Sequence, residues 1–206
     1  MGRILISILQ FILAVLLIPV LYTSIQNFAQ HFSAYPEVYK EFFLWGAVSL
    51  VVMHFFICKP LAVYQFGQNA VSGLFKFASP LDKFFSFIFP FYLIIIFLLM
   101  YVIMILFKTG RFDPYFMFFA GFAFAMQLIF VAQEIQEEEG STLKPTYLFS
   151  MTLVTILNIL LLVLLFDLVL KTFTSPHFSY SIYNDARGIY EAAFQKIYSI
   201  YQTAAK

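Results

Sequence analysis

Apolar residues along this chain come in long blocks separated by short polar breaks. Five blocks are each long and apolar enough to cross a hydrocarbon layer of about 30 Å: Ile4 to Ile25, Phe42 to Cys58, Phe84 to Phe107, Tyr115 to Ala132 and Tyr147 to Leu170. A sixth stretch, Leu61 to Phe77, is less hydrophobic but carries no charge until Lys76. Its polar residues Gln65, Gln68, Asn69 and Ser72 fall on one side of a helix, with Gln68 and Ser72 one above the other and Asn69 beside Gln68. In lipid, such a face turns toward other helices, water or a ligand. It is either a hydrogen-bonding seam between helices or the lining of a cavity.

Beyond Lys171 the pattern becomes polar. Ser175-Pro176 reads as a break and Asn184-Asp185 as an N-cap, followed by an amphipathic helix to about Ala204. Tyr190, Phe194, Ile197 and Tyr201 on its apolar side are candidates for docking onto a partner or onto the chain's own bundle. Its few basic residues speak against a purely electrostatic lipid anchor. This divides the chain into a transmembrane helical domain, 1–171, and a cytoplasmic tail, 172–206. The apolar run after Arg3 exceeds the core of a signal peptide and lacks a small-residue cleavage pattern, so it reads as a retained anchor.

Composition fixes the solvent. With 62% hydrophobic and 11% charged residues, against about 25% charged in ordinary soluble domains, this is an integral membrane protein. A net charge of +1 leaves no basic face for nucleic acid. The single cysteine, Cys58, excludes an internal disulfide and a cysteine-based zinc site.

Charge placement bears on whether Leu61 to Phe77 crosses. If it does, the 12 basic residues divide eight to four between the two sides; if it does not, they divide nearly evenly. The positive-inside rule favours the first arrangement. The expected fold is therefore all-α, a polytopic bundle of six membrane-embedded helices plus a C-terminal amphipathic helix, with both termini cytoplasmic.

The stretch Val63-Tyr64-Gln65-Phe66-Gly67-Gln68-Asn69-Ala70-Val71-Ser72-Gly73-Leu74-Phe75 resembles the zinc-binding helix of a group of bacterial site-2-protease-like intramembrane metalloproteases. That helix reads approximately Tyr-Val-Phe-Gly-His-Glu-Leu-Thr-His-Ala-Leu-Phe. Phe89-Pro90-Phe91-Tyr92-Leu93 is similar to the group's Pro-Tyr-Phe-Phe-Pro-Leu-Tyr run, and Gly121 to Leu128 to its Ala-Phe-His-Leu. Tyr147-Leu-Phe-Ser150 followed by Asn158 also matches in character. The resemblance places the group's two zinc histidines on Gln68 and Ser72, its catalytic glutamate on Asn69 and a further histidine on Gln127. Amide and hydroxyl oxygens are poor zinc ligands beside imidazole, and Asn69 cannot take a proton from bound water. The resemblance thus implies a degenerate, catalytically silent, pseudoprotease-like member in a bacterial inner membrane, with neither metal nor other cofactor.

Other constellations are thinner. His54 and Cys58 stand at i and i+4, a spacing two metal ligands accept, but two ligands do not make a site. Asp167, inside the last block and four residues before Lys171, reads as a snorkelling pair with that lysine or as part of an ion pathway. Glu134 reads as a solvated end of its helix. Asn158 lies mid-block and needs an interior partner. Gly121-x-x-x-Ala125 permits close helix approach, and Pro19 and Pro90 are candidate kinks. The functional expectation is a non-catalytic membrane subunit that packs against other integral membrane proteins and lipids in a larger, hetero-oligomeric bacterial envelope complex. The alternative is a small transporter or channel component, with Gln65, Gln68, Asn69, Gln127 and Asn158 lining its path.

Overall fold

A computed structural model describes residues 2–57, 60–78, 82–108, 112–139, 144–171 and 174–204, and no strand occurs among them. The helices are α1 (Gly2–Ser33), α2 (Glu37–Val52), α3 (Leu61–Leu74), α4 (Asp82–Ile88), α5 (Phe91–Phe107), α6 (Asp113–Glu139), α7 (Pro145–Leu170) and α8 (Ser175–Ala204). Four segments are long and apolar enough to cross a membrane: Leu5–Ser33, Glu37–Ile57, Asp113–Glu137 and Pro145–Leu170. Phe91–Phe107 is apolar but shorter. Together they make the chain a polytopic helical membrane protein.

Helix direction is set by contacts near the two ends of the bundle. The Tyr39 hydroxyl donates to Asp113 Oδ2 at 2.8 Å, while His54 Nε2 and Gln133 Nε2 lie 3.2 Å apart. Tyr39 and His54 are on the continuous stretch begun by α2, and Asp113 and Gln133 are on α6, so the two run parallel. Likewise Thr146 donates to Gln10 at 2.9 Å and the Phe32 and Phe166 rings sit 5.7 Å apart, which makes α1 and α7 parallel. The two ends are called here the Asp113 end and the Glu134 end.

Six crossings in alternation would have made α2 and α6 antiparallel, so the structure does not have that topology. α2 closes at the Glu134 end and α5 at the Asp113 end, which leaves room for one net traverse between them. α4, the Phe89-Pro90 break and α5 make that traverse, and α3 sits beside it without adding a crossing. The expected eight-to-four charge division loses its basis, because it required α3 to change sides. With one traverse fewer, α1 begins at the Glu134 end and α8 at the Asp113 end.

Pro19 is accommodated within an unbroken α1, where Thr23 and Ser24 return their hydroxyls to the carbonyls of Pro19 and Val20. Pro90 does break its helix. Proline lacks the amide hydrogen that the next rung of the ladder, to the Ser86 carbonyl, would need, and of the carbonyls left over where α4 ends, that of Phe87 accepts from Gln127 Nε2 of α6 at 2.9 Å.

The core has two main parts. Phe32, Phe43, Phe97 and Phe166 interlock toward the Asp113 end, and Leu50, Tyr64, Met126, Phe130 and Val154 pack toward the Glu134 end. α2 and α6 touch backbone to backbone through Gly46 and Gly121. A Cβ on Gly46 would overlap the Phe118 carbonyl oxygen, and one on Gly121 would overlap that of Phe43. Gly121 is thus a site of close approach, made to the Phe43 backbone, while Gly46 on α2 makes the matching approach to Phe118.

The C-terminal helix starts at Ser175, nine residues before the expected cap. Asn184 and Asp185 lie inside it. It is no detached tail: Phe178 and Ile182 join Ile159 and Val163 in a third apolar cluster, and Asn27 Nδ2 donates to Asp185 at 2.7 Å. With Phe178 beside His31 and the Tyr190 hydroxyl donating to the Leu16 carbonyl, α8 folds back antiparallel along α1. Burial also raises the Tyr190 pKa above the ordinary phenol value.

Candidate functional site

The polar face of α3 opens onto a cavity of about 410 Å³ between α3 and α6 at the Glu134 end. From α3, Tyr64, Gln65, Gln68 and Asn69 line it; from α6 come Phe130, Gln133, Glu134 and Glu137. Amide oxygens, two carboxylates and two aromatic rings therefore surround one space. Three residues of the stripe, Gln65, Gln68 and Asn69, border this space, and Ser72 does not.

Tyr64 and Tyr92 hold α3 in place. The Tyr64 ring stacks on Phe130 at 5.1 Å between centroids, and its hydroxyl donates to Glu134 Oε2 at 3.1 Å. The Gln68 side chain hydrogen-bonds to the same Tyr64 hydroxyl. The Tyr92 hydroxyl donates to the Val63 carbonyl, and the Tyr92 ring fills the space a side chain at position 67 would need, which explains glycine there. Glu134 is thus half-buried in a relay with α3 rather than a solvated helix end. The Gln68 Oε1 atom is buried with no hydrogen-bond partner.

A widened helical turn, Met53–Ile57, extends α2. It carries His54, 8% exposed, edge-on to Phe130 at 5.5 Å and within reach of Gln133. Wide turns of this kind shift side-chain register and recur beside functional sites. The possible second ligand, Cys58, lies outside the described residues. No group of three or more His, Cys, Asp or Glu able to hold a metal occurs among the described residues.

The four positions drawn from the zinc helix do not share one function. Gln68 and Asn69 line the cavity. Ser72 is half-buried outside its lining, and Gln127, 6% exposed, is committed to the α4 carbonyl. Asn158 is sealed at 0% exposure, with Nδ2 bonded to the Val154 carbonyl of its own helix at 2.9 Å and Oδ1 without a partner. It faces the interior as expected, yet half of its amide is unanswered.

Asp167, 4% exposed, does not snorkel toward Lys171. Its Oδ1 accepts the Thr174 hydroxyl at 2.7 Å, and its Oδ2 accepts the backbone N–H of Ser175, the first residue of α8. A carboxylate at a helix start answers an otherwise orphaned N–H and the positive end of the helix dipole. Lys171 instead turns the chain through a left-handed φ of 56°. Of the tail candidates, Tyr190 is docked on α1, while Phe194, Ile197 and Tyr201 are exposed.

Gln133 and Glu137 had not been anticipated. Their signal was available: with Glu134, which had read as a solvated helix end, they sit at i, i+1 and i+4, one helical face.

The fold and cavity define a polytopic α-helical membrane protein with a polar, acid-lined pocket at one end of its bundle. No known protein family matches the chain, and no curated protein or solved structure matches it either.

Proposed function

We propose that this protein is a non-catalytic integral membrane subunit that acts by holding a polar group of a lipid or partner in the α3–α6 cavity within a larger membrane complex. The convergence of Gln65, Gln68 and Asn69 on a single cavity carries this reading. Three residues of the stripe border that space, and Ser72 stands outside it. Descent from an intramembrane metalloprotease, with the zinc helix kept as a pseudoprotease scaffold, remains part of the proposal; the binding role does not depend on it.

Binding is favoured over conduction by where the other polar residues go. Gln127 serves a helix end and Asn158 is sealed among apolar neighbours, so neither continues the cavity toward the Asp113 end.

The test is purification in native lipid nanodiscs, followed by mass measurement of the intact particle. A partner subunit or lipid bound in fixed stoichiometry, and lost in a Gln68→Ala, Asn69→Ala double variant, is the expected result. A bare monomer whose bound lipid is indifferent to those substitutions would overturn the reading.

A further inference from the structure

We infer that the outer face of α8 is an interface with a second copy of this chain, in which two α8 helices run side by side and share the charges of Arg187 and Glu191. Depth in the membrane requires a cover for that face. The Tyr190 hydroxyl reaches the Leu16 carbonyl, and Arg187 borders a space lined also by Val20 of α1 and by Ile156 and Leu160 of α7. These four partners lie near the middles of the spanning segments Leu5–Ser33 and Pro145–Leu170. At that level Arg187 and Glu191 form a 2.7 Å ion pair whose side chains are 63% and 57% exposed. Charged groups at hydrocarbon depth face protein or water rather than lipid.

The rest of the face has the same character. Asn184, Gly188, Glu191, Gln195, Tyr198 and Gln202 recur at alternating intervals of four and three residues, the spacing of a seam between two parallel helices, and all are exposed. They stand across the helix from Phe178, Ile182 and Ala186, which turn toward α1 and α7. Gly188 has open space in front of it, since a Cβ there would meet nothing within 4 Å, so another backbone can come close.

A second copy is the occupant that this chemistry fits. Two copies inserted in the same direction are related by an axis along the membrane normal, which sets equal positions opposite one another. Each chain brings one guanidinium and one carboxylate, so the pair of chains places two of each at one depth with no net charge. Amide side chains both donate and accept, so Asn184 and Gln195 can answer their own counterparts. A different protein would need to carry a matching charge pair of its own. The α3–α6 cavity takes no part in this surface, and the binding role proposed above stands or falls separately.

Two measurements on the full chain test the interface. In a Cys58→Ser background in native membranes, Gly188→Cys should give a disulfide-linked dimer on mild oxidation, whereas Leu98→Cys, exposed on α5, should not. No cross-link at position 188, or a cross-link to a different protein, would overturn the assignment. Differently tagged Arg187→Glu and Glu191→Arg variants are then compared by mass measurement in nanodiscs. Alone, each sets four like charges together, and its dimer should weaken by about tenfold or more. Co-expressed, they should recover a mixed dimer, because two cations then meet two anions. Self-association of either variant at the parental level, or failure of the co-expressed pair to associate, would overturn the shared ion-pair interface.

Discussion

Gly46 and Gly121 meet reciprocally: each removes the side chain that would collide with the other helix's backbone, at Phe118 and Phe43 respectively. Replacing either by alanine must push α2 and α6 apart. Each substitution should lower stability by about 1–3 kcal/mol, read as thermal unfolding in detergent, and the double variant should cost less than the sum because both relieve one crossing. Gly73, with nothing within 4 Å of a built Cβ, is the control. Its replacement by alanine should be neutral or slightly stabilising, by up to about 1 kcal/mol. Equal effects at Gly73 and Gly46 would refute the close-approach account.

The parallel course of α2 and α6 predicts a labelling pattern. In a Cys58→Ser background, Ala34→Cys and Lys108→Cys should react with an impermeant maleimide from one side of the membrane, and Lys144→Cys from the other. Six crossings would instead pair position 34 with 144. The outcome therefore separates the two topologies without any assumption about which side is cytoplasmic.

Asp167→Ala should unfasten the start of α8. It strands the Ser175 N–H and leaves the Thr174 hydroxyl only its 3.4 Å contact with His31 Nε2, and loss of such a capping interaction costs about 0.5–2 kcal/mol. Limited proteolysis should then cut between residues 171 and 175 faster than in the parent protein, with α1–α7 otherwise intact. Unchanged cleavage would mean that the apolar cluster of Phe178 and Ile182 holds α8 alone.

Asn158→Leu should be neutral or stabilising, by about 1 kcal/mol, because it removes a buried acceptor that has no donor and keeps a similar volume. Thermal unfolding reads the sign. A large destabilisation would show that the Asn158 amide has a structural partner in the membrane, and loss of a reconstituted flux would revive the transport reading.

Apolar run length made the long membrane segments legible, and it did so because each must cover a hydrocarbon thickness with its own backbone satisfied. The partnering of those segments was not legible. Tyr39–Asp113 and His54–Gln133 join residues 74 and 79 positions apart, and neither pair leaves a trace in loop charge, the only topological signal the sequence offered. α3 supplied a readable half of the cavity because an isolated amide stripe in an apolar helix is conspicuous. The α6 half was hidden in the run of acids from Glu134 to Glu139, where a solvated end and a pocket wall look alike. Asp167 was misread for a related reason: Lys171 is its neighbour in sequence, but the chain reverses after it and brings Thr174 and Ser175 closer.

The pairing of α2 with α6 and of α1 with α7 also orders the protein's birth. α1 and α2 are neighbours in the chain yet meet mainly near the Asp113 end, where Phe32 packs on Phe43, and only 6% of the apolar window of α1 is buried, against 56% for α7. Thr146, which meets Gln10, is made 136 residues later. The first two helices therefore gain most of their packing partners only once α6 and α7 have been made. Assembly is committed late, and a chain truncated before Pro145 should be handled by membrane quality control as an orphan.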